Sequence, residues 1–355
     1  MRTVFWDEEK QALCIINQRS LPAKLEIVTM QAPEEVNSAI RNMTVRGAPA
    51  IGAAAAFGLA LAANQSRAQS ADLFLADIAA ASSLLRTSRP TAVNLTWALD
   101  RVLQVLKIRI AHGQLKGVDD LRKVVLTEAQ RIADEDVNKN KLMGEIGSKL
   151  IDDGDTIIHH CNTGSLAAVE WGTALGIIRT AHDQGKRIHV LVDETRPRLQ
   201  GSRLTAWELG QYGISYEIIT DNMAGYFLRS GNVQKVFFGA DRIAANGDVA
   251  NKIGTYMLAL AAYDNGVPVY AAAPTSSIDL SIKDGSEIPI EERDPEEVLG
   301  IQYHNENAAP LDAKARNPAF DVTPNRLITA IITEIKIVVP PFAVNLPKIV
   351  MPESF

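Results

Sequence analysis

The second half of the chain alternates short strands with helices, and this alternation constrains the fold more than any other feature. From Asp155 onward, apolar runs rich in β-branched residues are each followed by a segment with apolar residues at helical spacing. Strands connected by helices of this length indicate a parallel sheet with helices on both faces. The five predicted strands are DTIIHHC, RIHVLVDE, SYEIIT, KVFFGAD and VPVYAAAP.

The first half of the chain has a different pattern. Residues 1–30 contain three short strand-like runs, and residues 32 to about 150 are mostly helical in their spacing of apolar side chains. The apolar stretch Ala48–Ala63 is short and rich in small side chains, which favours a packed helix over a membrane span. The chain is therefore predicted to be an α/β protein whose N-terminal domain is mixed and mostly helical.

Four segments follow from these patterns. We expect an N-terminal domain at 1–125, a connecting helix at 126–152 and a parallel-sheet domain at 153–345. Residues 346–355 close a proline-rich stretch, VVPPFAVNLPKIVMPESF, which we expect to be an extended arm or a loose tail.

Composition excludes several classes of function. The formal net charge of -6, with cations spread along the chain, argues against a nucleic-acid binder that relies on bulk charge. The two cysteines, Cys14 and Cys161, lie far apart, so a disulfide scaffold or a C-x-x-C zinc motif is not expected. With no secretory pattern in MRTVFWDEEK, the simplest setting is a reducing cytoplasm.

Each predicted strand of the second half is followed by polar residues. Ligands of open parallel sheets bind beyond the carboxyl ends of the strands, so these segments should line one site. The strand ends are Cys161-Asn162-Thr163-Gly164, Asp193-Glu194-Thr195-Arg196, Thr220-Asp221-Asn222, Gly239-Ala240-Asp241-Arg242 and Ala273-Pro274-Thr275.

Cys161 and Asp241 are the candidate reactive groups. A helix expected to begin near Ser165 would lower the pKa of the Cys161 thiol through its dipole; the alternative is a buried structural cysteine. Asp241 follows a buried run, so partial desolvation would suit it to acid–base work; the alternative is a loop-capping residue. A cysteine–histidine hydrolase using His159 or His160 is less well supported, because adjacent strand residues point to opposite faces.

Three segments are candidates to hold a phosphate. Arg46-Gly47-Ala48-Pro49 and Ser88-Arg89-Pro90-Thr91 each precede a predicted helix, whose free N–H groups attract anions. Asn246-Gly247-Asp248 forms a predicted tight turn before a helix with Asn251 and Lys252 in its first turn. Routine helix capping is the alternative for each of the three. Neither nucleotide-binding glycine loops nor metal-ligand spacings are found in the sequence.

Long motifs at these segments carry a family resemblance. The chain resembles the methylthioribose-1-phosphate isomerases of methionine salvage, in family order, over most of residues 1–345. The motifs include TVRGAPAIGAAAAFGLAL, SRPTAVNLTWAL, HHCNTGSLA, DETRPRLQGSRLTAWEL, GADRIAANGDVANKIGTYMLALAA, VPVYAAAPTSSID and NPAFDVTPNRLITAIITE.

The resemblance implies a fold, an activity and a set of site residues. It implies a Rossmann-like C-terminal domain, a homodimer without metal or organic cofactor, and conversion of an aldose 1-phosphate to its ketose isomer. Cys161 and Asp241 would be catalytic, by proton transfer through an enediol-like intermediate or alongside a direct hydride shift. The substrate contacts would be Arg46, Gly47, Ala48, Arg89, Gln200, Asn251 and Lys252.

Two departures and two alternative functions accompany the resemblance. The sequence between Leu299 and Asn317 differs from the family pattern. Lys336 also differs from it, because a glycine is expected at that position. The first alternative is an isomerase of ribose 1,5-bisphosphate or 5-deoxyribose 1-phosphate. The second is a non-catalytic regulatory subunit, because regulatory subunits of a translation-initiation exchange factor share the fold.

Overall fold

The computed structural model describes residues 1–89, 92–113 and 117–350. The chain divides into two compact units: unit 1 comprises Met1–Lys139 and Ser165–Gly172, and unit 2 comprises Asn140–Gly164 and Thr173–Phe355. Residues 126–147 of the expected connecting helix at 126–152 belong to a longer helix, Val118–Gly147, which begins in unit 1 and ends in unit 2. A 3-10 turn at Ser148–Leu150 follows it.

Unit 1 combines a small antiparallel sheet with helices, as the first half of the sequence predicts. Its elements are β1 (Val4–Asp7), β2 (Ala12–Ile16), β3 (Ile27–Met30), α1 (Pro33–Arg41), α2 (Ala48–Gln65), α3 (Ala71–Arg86), α4 (Val93–Ala111) and the first part of α5 (Val118–Gly147). The strand order is β1-β2-β3, with Val4 opposite Ile15 and Leu13 opposite Met30.

Helix α2 forms the centre of the hydrophobic core of unit 1. By length and composition alone it could cross a membrane, but 78% of it is buried inside the structure. Its small residues permit close packing, since a Cβ on Gly52 would lie 3.0 Å from the Asn94 carbonyl oxygen of α4. The interpretation of this stretch as a packed core helix is confirmed.

Unit 2 contains the alternating strands and helices. Its strands are β4 (Thr156–His159), β5 (His189–Asp193), β6 (Ser215–Ile219), β7 (Lys235–Gly239), β8 (Arg242–Ala244), β9 (Val249–Lys252), β10 (Val269–Ala272), β11 (Ile278–Asp279), β12 (Gln302–Tyr303), β13 (Glu306–Asn307), β14 (Phe320–Thr323), β15 (Ala330–Ile332) and β16 (Ile337–Val338). Its helices are the end of α5, α6 (Ala174–Asp183), α7 (Ala206–Tyr212), α8 (Ala224–Arg229), α9 (Thr255–Asp264), α10 (Glu296–Leu299), α11 (Phe342–Asn345) and α12 (Pro347–Val350).

The predicted parallel sheet is confirmed. Seven strands lie in the order β16-β15-β10-β7-β4-β5-β6, and every neighbouring pair is parallel except β15 with β16. Strands β4 and β7 are neighbours, with His159 opposite Phe237. The polar segments after β4, β5, β6, β7 and β10 therefore share one edge of the sheet, which we call the carboxyl edge.

Helices cover both faces of this sheet because successive strand residues point to opposite sides. On one face, Ile158 and Phe238 pack in a core with residues of α8, α9, α11 and α12. On the other face, Ile157 and Phe237 pack with α6, α7 and the end of α5. The central strands β4, β5, β7 and β10 are thus buried on both faces, as in other parallel sheets, whereas the edge strand β6 is mostly exposed.

The segment after Asp241 differs from the prediction. Asn246-Gly247-Asp248 does form a tight turn, but Asn251 and Lys252 lie in β9 and not in a helix. Strand β9 pairs antiparallel with β8 on one side and with β14 on the other, in a small sheet of order β11-β8-β9-β14. The local spacing of residues predicts a helix here. A strand forms instead because it pairs with β14, which lies about seventy residues later in the chain.

Two C-terminal segments also acquire structure. The divergent stretch after Leu299 contains a short hairpin of β12 and β13. The expected extended arm or loose tail is wrong for residues 342–350, where α11 and α12 bury Phe342, Leu346 and Ile349 in the core of unit 2. Residues 351–355 of the expected tail lie outside the described residues.

Candidate active site

Cys161 lies at the carboxyl edge in an unusual backbone conformation. Strand β4 ends at His159, and Cys161 follows with φ +68°, a region that side-chain-bearing residues seldom adopt. Two threonines hold it there: the Thr195 hydroxyl oxygen accepts from the Cys161 N–H at 2.9 Å, and the Thr205 hydroxyl donates to the Cys161 carbonyl oxygen at 2.7 Å. Such strain persists only where the surroundings fix it, and it is concentrated at functional sites.

The segment after β5 provides both threonines. The Thr195 hydroxyl donates to the Asp193 carbonyl oxygen at 2.9 Å, and Thr205 ends a π-helical turn at Gly201–Thr205. A Cβ on Gly201 would lie 1.7 Å from the same Asp193 carbonyl oxygen, so only glycine lets this turn pack against the strand end. The π-helical form is found frequently at functional sites.

The prediction of a helix that begins near Ser165 is wrong. Only a three-residue 3-10 turn occupies Ser165–Ala167, and α6 begins at Ala174. Positive φ angles at Trp171 (+72°) and Gly172 (+90°) interrupt the helical pattern between them. There is therefore no helix at Ser165 whose dipole could act on the Cys161 thiol.

Asp241 lies beside the end of β9. It follows β7, the strand next to β4, and its backbone N–H donates to the Ala250 carbonyl oxygen at 2.9 Å. Its side chain is exposed, whereas Cys161 is buried at 6% exposure. The expectation of a partly desolvated Asp241 carboxyl group is therefore not supported, and a bound substrate would have to exclude water from it.

Three of the residues that the resemblance implies as substrate contacts lie in unit 2. Asn251 and Lys252 end β9; Asn251 is buried and donates to the Thr255 hydroxyl oxygen at 2.9 Å. The Lys252 ammonium donates to the Ala319 carbonyl oxygen at 2.7 Å and lies 4.6 Å from the centre of the Phe320 ring. Gln200 is buried after β5, and its side-chain oxygen has no hydrogen-bond partner among the described residues, which leaves an acceptor for a ligand.

The other four implied contacts lie in unit 1. Gly47, with φ +95°, precedes α2, and a Cβ on it would lie 2.2 Å from the Ala167 carbonyl oxygen, so only glycine fits. Ala48 begins α2 as expected, and Arg46 is half-buried beside it. The Arg89 carbonyl oxygen accepts from the Ala92 N–H at 3.0 Å just before α4; Pro90 and Thr91 lie outside the described residues.

The two histidines before Cys161 are both fully buried, and each has different partners. His160 Nδ1 lies 2.8 Å from Asp193 Oδ2, and Nε2 lies 3.0 Å from the Ile253 carbonyl oxygen. Burial acts to lower the pKa of His160, but the hydrogen bond and charge of Asp193 outweigh it, so the pKa lies above its ordinary value. Burial raises the pKa of Asp193 to about 6.

One cluster in the described part of the chain has donor atoms spaced closely enough for a metal ion. The donor atoms of His160, Asp193 and Asp221 lie within 4.8 Å of one another. The Asp221 oxygens, however, accept from the N–H groups of Thr195 and Arg196 at 2.7 and 2.8 Å, and both His160 nitrogens are hydrogen-bonded. We therefore interpret the cluster as a hydrogen-bond network that fixes the strand ends.

His159 is buried in its neutral form, and we therefore expect the free energy of unfolding to depend on pH. Its Nε2 lies 2.8 Å from the Thr163 hydroxyl oxygen, and burial lowers its pKa to about 3. The unfolded chain takes up a proton below pH about 6.5, but the folded chain does not, so stability is lost as the pH falls. At pH 5 this group should account for about 2 kcal/mol of lost stability.

Urea unfolding at pH 7 and pH 5 measures this effect. In His159→Gln the loss of unfolding free energy between the two pH values should shrink by about 2 kcal/mol relative to the parent chain. His304→Gln is the matched control, because His304 is exposed and should leave the pH dependence unchanged. An unaltered pH dependence in His159→Gln would contradict the assignment.

Local sequence patterns contain no signal for Thr195, Thr205 and Asp193 as a support for Cys161. Their roles depend on contacts between segments more than thirty residues apart. The only available signal was their position: Asp193 and Thr195 were among the polar strand ends, and Thr205 was not.

Comparison with known proteins identifies the family. The model of the initiation factor 2 subunit family matches residues 44–340. Methylthioribose-1-phosphate isomerase of Desulforamulus reducens is 49% identical over 98% of this chain and 99% of its own length. The same-named protein of Herpetosiphon aurantiacus is 51% identical over 99% of this chain and 96% of its own.

Solved structures give the same result. The crystal structure of 5-methylthioribose 1-phosphate isomerase from Pyrococcus horikoshii is 47% identical, with TM-score 0.90 over 98% of this chain and 95% of that chain. A structure titled translation initiation factor eIF-2B, subunit delta, from A. fulgidus is 42% identical, with TM-score 0.87 over 99% of both chains. The chain therefore belongs to the initiation factor 2 subunit family and, within it, to the methylthioribose-1-phosphate isomerases.

Proposed function

We propose that this protein is an aldose–ketose isomerase that converts 5-methylthioribose 1-phosphate into 5-methylthioribulose 1-phosphate in methionine salvage. The observation that carries this function is the similarity, over nearly the full length of both chains, to proteins named for this activity. The carboxyl edge of the seven-stranded sheet, where Cys161 and Asp241 follow neighbouring strands, is the place where such a fold binds its ligands.

The reaction defines what the residues must do. Phosphate on the anomeric oxygen prevents simple ring opening to an aldehyde. A hydrogen must therefore move from C2 to C1 while the bond from C1 to the ring oxygen breaks, the ring oxygen gains a proton and the C2 hydroxyl loses one. No atom is gained or lost overall, so the protein needs a group that can both give and take a proton.

We assign the proton transfer to Asp241, with Cys161 as the second proton carrier or as part of a low-polarity pocket. Two features support this: Asp241 is an exposed residue at the carboxyl edge, and the strained backbone of Cys161 is held by two hydroxyl groups. The assignment is the same for proton transfer through an enediol-like intermediate and for a direct hydride shift.

The binding roles implied by the resemblance are part of this proposal. Lys252 supplies a half-buried cation, and Gln200 supplies a buried acceptor. The roles of Asn251 in unit 2, and of Arg46, Gly47, Ala48 and Arg89 in unit 1, stay predictions.

We also propose that the protein works as a homodimer in the cytoplasm. The family resemblance implies the dimer, and neither Cys14 nor Cys161 forms a disulfide within the described residues, which suits a reducing compartment. Light scattering that gives the mass of a single 38.5 kDa chain at working concentration would contradict the dimer.

A side-by-side assay of three sugar phosphates tests the function. The purified protein should convert 5-methylthioribose 1-phosphate with a kcat/KM at least about tenfold above those for ribose 1,5-bisphosphate and 5-deoxyribose 1-phosphate, because a methylthio group prefers an apolar pocket. A preference for either of the other sugars would overturn the substrate. No turnover of any of the three would favour the regulatory subunit.

A further inference from the structure

The ring of His160 lies between two strand ends of unit 2 and has no exposed surface. Nδ1 faces Asp193 Oδ2 at 2.8 Å, at the end of β5, and Nε2 faces the Ile253 carbonyl oxygen at 3.0 Å, just after β9. His160 also precedes Cys161 directly in the chain. The ring thus connects the segment that carries Cys161 with the segment that carries Lys252.

Counting donors and acceptors assigns the protons of this ring. The Ile253 carbonyl group can only accept, so Nε2 must carry a hydrogen. Nδ1 faces a carboxylate, and the acidic groups around the ring are Asp193, Asp221 and Asp321, whereas the adjacent His159 is neutral. Because Nδ1 lies 2.8 Å from the Asp193 carboxylate and the charge of Asp221 also favours a cation, the ring is favoured as an imidazolium that donates from both nitrogens.

The turn after β9 is shaped around this ring. Gly254 has φ +102°, and a Cβ on it would lie 2.9 Å from His160 Cε1, so only glycine lets the ring approach. On its other side the turn is held by Asp321, which accepts from the N–H groups of Gly254 and Tyr256 at 2.7 and 3.1 Å. Removing the ring would free one side of the turn that follows Asn251 and Lys252.

We propose that His160 is a positioning residue for the isomerase reaction: its doubly protonated ring holds the Ile253 carbonyl group and thereby fixes Asn251 and Lys252 relative to Cys161. Being fully buried, it acts through these residues and not on the substrate. The kinetic part of this inference depends on the proposed function; the protonation state of the ring does not.

Nitrogen-15 NMR of the full chain labelled at histidine tests the protonation state. The signals of His160, assigned by their loss in His160→Gln, should show hydrogens on both ring nitrogens at pH 7.5. A neutral ring with one bare nitrogen at that pH would overturn the assignment, whether or not the protein turns over any sugar phosphate.

Two amide variants test the positioning role. The amide nitrogen of glutamine reaches about as far as Nε2 and can donate to the Ile253 carbonyl oxygen, whereas that of asparagine reaches only as far as Nδ1. We expect His160→Asn to raise KM for 5-methylthioribose 1-phosphate at least about tenfold, with a smaller loss of kcat, because a misplaced binding group costs up to about 100-fold. His160→Gln should restore most of the affinity.

His189→Gln is the matched control. His189 lies at the amino end of β5, bonded to the Ser215 hydroxyl at 2.9 Å, and its replacement should leave both constants unchanged. Native kinetics in His160→Asn, or equal losses in His160→Asn and His160→Gln, would overturn the role of the Ile253 contact.

Discussion

Replacing Asp241 with asparagine is expected to lower kcat for 5-methylthioribose 1-phosphate at least about 100-fold, within the range for a lost acid–base group. The amide has nearly the same size as the carboxyl group but cannot exchange a proton at neutral pH. Asp241 joins the small sheet through its backbone N–H, at 2.9 Å from the Ala250 carbonyl oxygen, so the substitution should leave the fold intact. KM should change much less than kcat.

Asp264→Asn is the matched control for this prediction. Asp264 is exposed at the end of α9 and loses the same charge, so its turnover should match that of the parent chain. Steady-state kinetics of both variants, with circular dichroism to check folding, provide the measurement. An Asp241→Asn variant within a few-fold of the parent kcat would remove Asp241 from the proton transfer.

Replacing Cys161 with serine is expected to reduce kcat by a similar factor, at least about 100-fold. Serine nearly preserves the volume, and the hydrogen bonds that join the Cys161 N–H to Thr195 and the Cys161 carbonyl oxygen to Thr205 do not involve the sulfur. A hydroxyl group is a much weaker acid than a thiol, so it cannot carry the proton at neutral pH.

Two further variants make this result specific. Cys14→Ser changes the other buried cysteine, in β2 of unit 1 and 3.6 Å from the Thr29 hydroxyl oxygen, and should keep the parent kcat. Cys161→Ala separates the two proposed roles, because alanine keeps the pocket apolar but cannot carry a proton. Activity retained in this variant would indicate the pocket role, and activity lost would indicate the proton carrier. High activity in Cys161→Ser would exclude both roles.

The sequence predicted the parallel sheet and the location of its carboxyl edge because these follow from local periodicity. Each strand from DTIIHHC to VPVYAAAP is an apolar run followed by polar residues, and the structure aligns all five in parallel. The helix starting at Ala48 is likewise marked by Pro49 in its first turn.

Features that depend on distant pairing could not be predicted in this way. Strand β9 exists because Val249–Lys252 pairs with Phe320–Thr323, and the short C-terminal helices exist because Phe342 and Leu346 reach the core of unit 2. The Asn246-Gly247 pair is a strong hairpin signal, and a strand lies on each side of this turn, β8 before it and β9 after it.

The backbone conformation of Cys161 also depends on contacts between segments that are distant in sequence. Its positive φ and its two threonine partners depend on the turn after β5, which no periodicity reveals. The place of Cys161 at a strand end predicts a candidate reactive side chain but not the groups that hold it. The helix dipole predicted to act on its thiol is absent, because only a 3-10 turn follows at Ser165–Ala167.

Diffraction from crystals of the Cys161→Ser variant soaked with 5-methylthioribose 1-phosphate would test most directly whether one bound sugar contacts both Asp241 and the side chain at position 161. We expect the C1–C2 bond to lie within about 3.5 Å of both the Asp241 carboxyl group and the hydroxyl group at position 161. A sugar bound away from either side chain, or the two side chains opening into separate cavities, would contradict it.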